Sequence, residues 1–211
     1  MACEDGKRVF GMKYSNNVFS VSVIALASFL SLTPATLSAQ AFGVDMGASL
    51  SKFEGAEDIG NGNYVISVPR PHSEFESYVV VLSEATGVCM VRGIGKNHNN
   101  DRTGANVRRA FKTLETALNS RYGAGDHVNW LQPRALWDGA HEWVMSIRQN
   151  ERVFGTGWTT EGGAELPEEF LAINMQVRAL SSDSSYIVLQ YRFSNFDECD
   201  REIKAQDASG L

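Results

Sequence analysis

A polar loop in the middle of the chain carries residue types that hydrolytic enzymes use. Residues 96–102 read Lys-Asn-His-Asn-Asn-Asp-Arg and precede a long amphipathic segment. His98 could act as a general base that Asp101 orients, in a hydrolase whose nucleophile comes from elsewhere in the chain. Lys96 and Arg102 add positive charge, and the N-terminus of the following helix could hold an anion. A solvated surface loop would have the same composition, so these four residues form a candidate polar site and no more.

Other chemical motifs are incomplete in this sequence. None of the four histidines has metal-site spacing, and His141-Glu142 lacks the second histidine of the zinc-protease motif. Residues 93–96 read Gly-Ile-Gly-Lys, without the spacer or the Ser or Thr of a P-loop. No Gly-x-Ser-x-Gly elbow occurs. We therefore predict no catalytic set, no cofactor and no metal.

Four tryptophans lie in the second half of the chain. Trp130, Trp137, Trp143 and Trp158 could line a surface that binds a sugar or a peptide. Core packing is the alternative role for such large apolar side chains. The sequence leaves both interpretations open.

Cys89 and Cys199 are the only cysteines after residue 41. Cys89 lies in an apolar strand, and Cys199 shares a helical face with Phe196 and Ile203, so both thiols should point inward. Export would place them in an oxidising compartment, where such a pair forms a disulfide. We predict a Cys89–Cys199 bridge; two separate buried thiols are the alternative.

Composition excludes several classes of protein. The chain has 211 residues, of which 43% are hydrophobic and 21% charged, an ordinary globular balance that excludes wholesale disorder. Its formal net charge of −6 argues against a nucleic-acid partner.

The N-terminal residues have the pattern of an export signal. Residues 18–32 form an uncharged apolar run, shorter than the about 20 residues that a membrane span needs. Ala39 and Ala41 fit a cleavage site after residue 41, so residues 1–41 are predicted to be a signal peptide. We hypothesise that translation starts at Met12, because Glu4 and Asp5 dilute the basic charge before it. No lipobox cysteine follows the run, so we expect no membrane anchor after cleavage and a periplasmic or secreted protein.

Residues 42–211 are predicted to form one α+β domain. Apolar residues recur at helical spacing over 104–122, with Glu115 off the apolar stripe, and they alternate as in half-exposed strands over 171–179 and 186–193. The pattern favours a mainly antiparallel sheet with helices packed on one face. Further predicted elements are strands at 42–46, 64–68, 77–82, 88–93 and 152–158, a loop at 54–63, and helices at 48–53, 138–149 and from 195. The halves 42–122 and 123–211 are loosely similar in element order and length, without a residue-level repeat, so two similar halves are one interpretation.

Two resemblances accompany these patterns. The segment Phe-Gly-Val-Asp-Met-Gly-Ala-Ser-Leu at 42–50 is similar to the start of small outer-membrane assembly lipoproteins of the SmpA/OmlA type, although the lipid-bearing cysteine of that family is missing. Residues 64–72, 76–96 and 193–208 resemble uncharacterised exported proteins of Gram-negative bacteria. Neither resemblance implies an activity or a functional residue.

We expect a non-catalytic binding or interaction module of the bacterial envelope. An envelope protein, or an extracytoplasmic enzyme that it inhibits, would be its partner. The alternatives are an extracytoplasmic hydrolase that uses the His98/Asp101 loop, and a purely structural envelope protein. The sequence does not indicate an oligomeric state.

Overall fold

The structure, a computed structural model, describes residues 40–209. The predicted signal peptide at 1–41 and the hypothetical start at Met12 therefore lie outside the described residues, except for Gln40 and Ala41. These two residues form a short strand that pairs with Val44–Asp45, and Ala41 is buried there.

Strands dominate the described part of the chain. They are β1 (Gln40–Ala41), β2 (Val44–Asp45), β3 (Glu57–Gly60), β4 (Asn63–Ile66), β5 (Phe75–Ser83), β6 (Gly87–Gly95), β7 (Asp126–Leu131), β8 (Arg152–Trp158), β9 (Phe170–Ala179) and β10 (Ser185–Phe193). The helices are α1 (Ala105–Tyr122), α2 (Trp143–Arg148) and α3 (Phe196–Ser209), with short 3-10 turns at Leu50–Lys52 and Ala140–Glu142.

One antiparallel sheet of eight strands organises the fold. Its strand order is β3-β4-β5-β6-β10-β9-β8-β7, and β1 pairs with β2 in a separate two-stranded sheet. Four strands, β3 to β6, precede α1, and four more, β7 to β10, precede α3. The two sets meet at the antiparallel pair β6 and β10 and extend outward from it in opposite directions. The predicted α+β class with a mainly antiparallel sheet is confirmed.

Helix α1 packs its apolar stripe on one face of the sheet. Val107, Phe111, Leu114, Leu118 and Tyr122 are buried together with side chains of the central strands, at the i, i+3, i+4 and i+7 spacing expected of an amphipathic helix. Helix α2 joins the same core through Trp143, Val144 and Ile147. The sequence pattern was wrong in one respect, because Glu115 is buried beside this stripe.

Helix α3 lies on the opposite face, over β5 and β6. Cys199 forms a disulfide with Cys89 of β6, with 6.3 Å between their Cα atoms, which confirms the predicted bridge. Val81 and Met90 of the sheet pack around the bridge with side chains of α3. Val81 and Met90 point away from α1, so the helices occupy both faces of the sheet. The sequence pattern had suggested helices on one face.

Several other elements differ from the sequence prediction. The helix expected at 48–53 is only a 3-10 turn at Leu50–Lys52, and β7 was not predicted. Residues 54–63 were expected to be a loop, but β3 forms within them as an exposed edge strand. The helix expected at 138–149 is divided into a 3-10 turn and the short α2.

Candidate functional site

The predicted polar site at residues 96–102 is the loop that leads into α1, and its Asp101 caps that helix. Asp101 is buried, and its carboxylate accepts the backbone N–H groups of Ala105, Asn106 and Val107 at 2.8, 2.8 and 3.2 Å. These donors belong to the first turn of the helix and have no partner within it. The carboxylate therefore caps α1 and complements the positive end of its dipole.

The other members of this loop contact separate groups. The ring of His98 places Nε2 2.8 Å from Oε1 of Glu74, and the Lys96 ammonium lies 3.6 Å from Oε2 of the same carboxylate. Arg102 is exposed, and its carbonyl accepts the backbone N–H of Val144 at 3.1 Å. Within residues 40–209, His98 has no hydroxyl or thiol as a hydrogen-bond partner. The structure does not bring together the base and the nucleophile that the hydrolase interpretation requires.

Neither a cluster of metal ligands nor a helix suited to a membrane span occurs in the described part of the chain. It contains no group of three or more His, Cys, Asp or Glu side chains placed to hold a metal ion. None of its helices combines the length and the apolar character that crossing a membrane requires.

The face of the sheet opposite α1 is largely uncovered from β7 to β10. Helix α3 lies over β5 and β6, and its Phe196 ring centroid lies 4.5 Å from the guanidinium carbon of Arg192 on β10. Helices α1 and α2 lie on the other side, so among residues 40–209 no helix packs extensively on this face of β7, β8 and β9. Side chains at paired positions of neighbouring strands project from the same face. The surface called the open face below comprises Val128, Trp130, Val153, Asn174, Gln176, Arg178, Gln190 and Arg192 of β7 to β10, together with Arg92 of β6, which pairs with Gln190 at its border.

A shallow trough runs along the open face above β8. Gly155 and Gly157 have no side chain to fill the space between β7 and β9. Asn174 and Gln176 of β9 border the trough on one side, and Val128 of β7 borders it on the other. Its volume is about 500 Å³. The trough could seat an extended segment of chain and offer amide groups along its length.

One end of the open face is apolar and exposed. Trp130 of β7 pairs with Val153 of β8, and they expose 50% and 48% of their surface, respectively. Val128, two residues before Trp130 on the same face, exposes 43%. Contiguous exposed apolar side chains of this kind mark interaction surfaces more often than single ones do.

The other end of the open face is cationic. Arg92 and Arg192 flank Gln190 on neighbouring positions of β6 and β10, and Arg178 projects from β9. Burial, followed by the charge of Arg178, lowers the pKa of the Arg92 guanidinium. The Nε of Arg192 is buried and lacks a hydrogen-bond partner within the described residues. Asp126, at the far rim of the trough, is the acidic residue that lines it.

The tryptophans divide between core and surface. Trp143 and Trp158 are buried in the core, as the packing interpretation expects, and Trp137 is half-buried. Trp130 is the one that the open face exposes. The alternation in β9 and β10 already separated Asn174, Gln176, Arg178, Gln190 and Arg192 from the core residues. Sequence reasoning missed β7; it predicted the strand at 152–158 but not that Val153 lies on this face.

Comparisons with known proteins add no functional information. A scan of protein-family models, a search of curated proteins and a search of solved structures all found no match to the chain. The resemblance of residues 42–50 to small assembly lipoproteins gains no support from them. The interpretation of the open face therefore depends on its geometry alone.

Proposed function

We propose that the protein is exported and works as a binding module of the bacterial envelope, with an acidic, extended segment of another envelope protein docking on its open face. The observation that carries the proposal is the largely uncovered half of the sheet, where exposed apolar side chains share one surface with arginines that have no carboxylate partner among residues 40–209. Monomeric proteins usually cover the faces of a large sheet or make them polar. An apolar surface flanked by charge is typical of protein interfaces.

Export is supported by two independent features. The uncharged apolar run at 18–32 has the length and the flanks of a signal peptide. The Cys89–Cys199 disulfide belongs to a class of bond that persists in the periplasm and outside the cell but is rare in the cytosol.

The charge of the open face supports an acidic partner. The whole chain carries a formal net charge of −6, yet three arginines lie on this face. The mutual repulsion of Arg92 and Arg178 would be relieved by carboxylates of a bound segment. Trp130 and Val153 would pack against apolar side chains of that segment, which adds affinity that is independent of salt.

The shape of the trough supports an extended segment. Its floor is the backbone of β8 at Gly155 and Gly157, and its rim carries the amides of Asn174 and Gln176. Such amides can pair with the backbone groups of a chain that lies along the trough. A globular surface would not reach this floor as easily.

Affinity capture with matched variants tests the proposal. The wild-type protein and the variants Val153→Asp and Leu136→Asp are immobilised and exposed to envelope extract from the cells that produce the protein. Leu136 is an exposed apolar residue outside the open face, so it controls for adding a charge to the surface. We expect one partner with an acidic segment, retained by wild type and Leu136→Asp, lost from Val153→Asp, and weakened by salt.

A synthetic peptide of the captured segment completes the test. Its affinity should fall about tenfold or more with Arg178→Glu but remain unchanged with Arg201→Glu, an exposed arginine of α3. If all immobilised variants retain the same proteins, or if the partner binds through a basic segment, the proposal is wrong.

A further inference from the structure

A second cleft lies between α1 and strands β7 and β8, on the face of the sheet opposite the open face. It has a volume of about 430 Å³ and is lined mainly by cationic, aromatic and amide side chains: Arg108, Phe111, Lys112, Asn119, His127 and Phe154. We call it the α1 cleft. Its location makes it independent of the proposed docking surface.

A buried carboxylate organises the α1 cleft. Glu115 is 6% exposed, and its Oε1 lies 2.8 Å from Nδ1 of His127 and 2.6 Å from the Thr156 hydroxyl, which donates to it. Its Oε2 accepts a hydrogen bond from the Lys112 ammonium at 3.0 Å. Burial alone would raise the pKa of Glu115, but the hydrogen bonds from Thr156, Lys112 and His127 together hold it below its ordinary value. The ionised carboxylate therefore fixes the proton of His127 on Nδ1.

The second nitrogen of His127 is free for a ligand. Its side chain is 41% exposed, and Nε2 has no hydrogen-bond partner within residues 40–209. The edges of Phe111 and Phe154 contact the ring, with centroid distances of 6.1 and 5.1 Å. These contacts and the bond to Glu115 hold the ring in one orientation.

Arg108 lines the α1 cleft, and Arg152 lies near Arg108 outside the cleft lining; neither has a carboxylate partner among the described residues. The Arg108 guanidinium lies 5.2 Å above the ring of Trp143 and donates to backbone carbonyls, not to a carboxylate. Arg152 donates to Ser146 and Asn129, which are neutral. Burial, and then the charge of Arg108, lower the pKa of Arg152, so the two guanidinium groups are close enough to repel each other.

We propose that the α1 cleft binds a phosphate group. Arg108 and Lys112 would contact its charged oxygens, beside the Nε2 of His127. Binding would relieve the repulsion between Arg108 and Arg152. The exposed 9% of Phe154 is the apolar surface that the organic part of a phosphate ester would contact, whereas free phosphate would use the polar groups alone.

The geometry favours binding over hydrolysis. The hydroxyl nearest to His127 belongs to Thr156, and its proton is donated to Glu115. This hydroxyl contacts Nδ1, the nitrogen that the carboxylate already occupies, so Nε2 has no side-chain nucleophile to activate among the described residues.

Proton NMR of the His127 Cε1–H signal tests the proposal, with inorganic phosphate, phenyl phosphate and acetate as probes at constant pH and ionic strength. We expect saturable shifts of this signal with both phosphates and none with acetate. Tighter binding of phenyl phosphate would identify an ester as the ligand class, and equal binding would identify free phosphate. No saturable shift at millimolar phosphate, or an equal response to acetate, would overturn the proposal.

Variants at two cationic positions separate binding from folding. Arg108→Gln and Lys112→Gln should each weaken phosphate binding by about tenfold. Lys112 is 72% exposed, so its substitution should leave the fold intact even if the loss of Arg108 does not. Arg109→Gln, on the exposed side of the same helix turn, is the control and should bind like wild type. Unchanged binding by Lys112→Gln and Arg108→Gln would contradict the assignment.

Discussion

Reduction of the Cys89–Cys199 bridge should remove a large part of the stability of the protein. The bridge joins residues 110 positions apart and ties α3 to β6. For a closed loop of that length, the chain-entropy relation gives about 4.8 kcal/mol at 25 °C. Both sulfur atoms are fully buried beside Val81 and Met90, so the reduced thiols would remain packed and most of the loss would arise in the unfolded chain.

Urea unfolding with and without a reducing agent measures this loss. The free energy of unfolding should fall by about 4 kcal/mol on reduction, with a steeper dependence on urea because the reduced chain exposes more surface when it unfolds. The double variant Cys89→Ala/Cys199→Ala is the control, since the reducing agent should not affect it. A loss below about 1 kcal/mol would refute the reasoning that the bridge acts on the unfolded chain.

Three further predictions concern α1 and its contacts. Phe111→Ala should lower the free energy of unfolding by about 3–5 kcal/mol because it leaves a cavity under α1. Arg109→Ala, the exposed control, should change it by less than about 0.5 kcal/mol. Equal losses in urea unfolding would mean that the buried face of α1 is misassigned. Asp101→Ala should cost about 0.5–2 kcal/mol and speed amide exchange in the first turn of α1, and unchanged exchange would contradict the capping role. Because the pKa of Glu115 is held below its ordinary value of 4.5, its contribution to stability should be complete above that value and disappear as the pH falls through the lowered pKa. The stability difference between wild type and Glu115→Gln should therefore shrink on acidification, whereas the exposed control Glu161→Gln should show no such trend.

Local patterns predicted the elements that have one buried face. The stripe of α1 and the alternation of β9 and β10 are strong signals because each repeats over several turns or residues. The disulfide was also predictable, since Cys89 and Cys199 each sit among apolar neighbours on elements that a compact domain brings together.

The remaining features depend on contacts between distant segments. Strand β7 was missed because its alternation is short: Val128 and Trp130 are its only apolar residues on one face, and both lie on an exposed edge strand. The burial of Glu115 follows from the register of β7 and β8, which brings His127 and Thr156 beneath α1. The face on which α3 packs is likewise set by a distant contact, because the Cys199 side chain of α3 is bonded to Cys89 of β6. None of these facts is encoded within a single helix or strand.

Site-specific photo-crosslinking tests the central claim, that the open face binds a partner, most directly. A photoreactive amino acid replaces Val153 on the open face or, as a control, Thr113, which is exposed on α1 on the opposite side of the sheet. After irradiation in the producing cells, the adducts are identified by mass spectrometry. We predict that Val153 crosslinks to an acidic segment of one envelope protein, that Thr113 does not, and that Arg178→Glu abolishes the adduct. Equal crosslinking from both positions, or none from Val153 while the protein is folded and exported, would contradict binding at the open face.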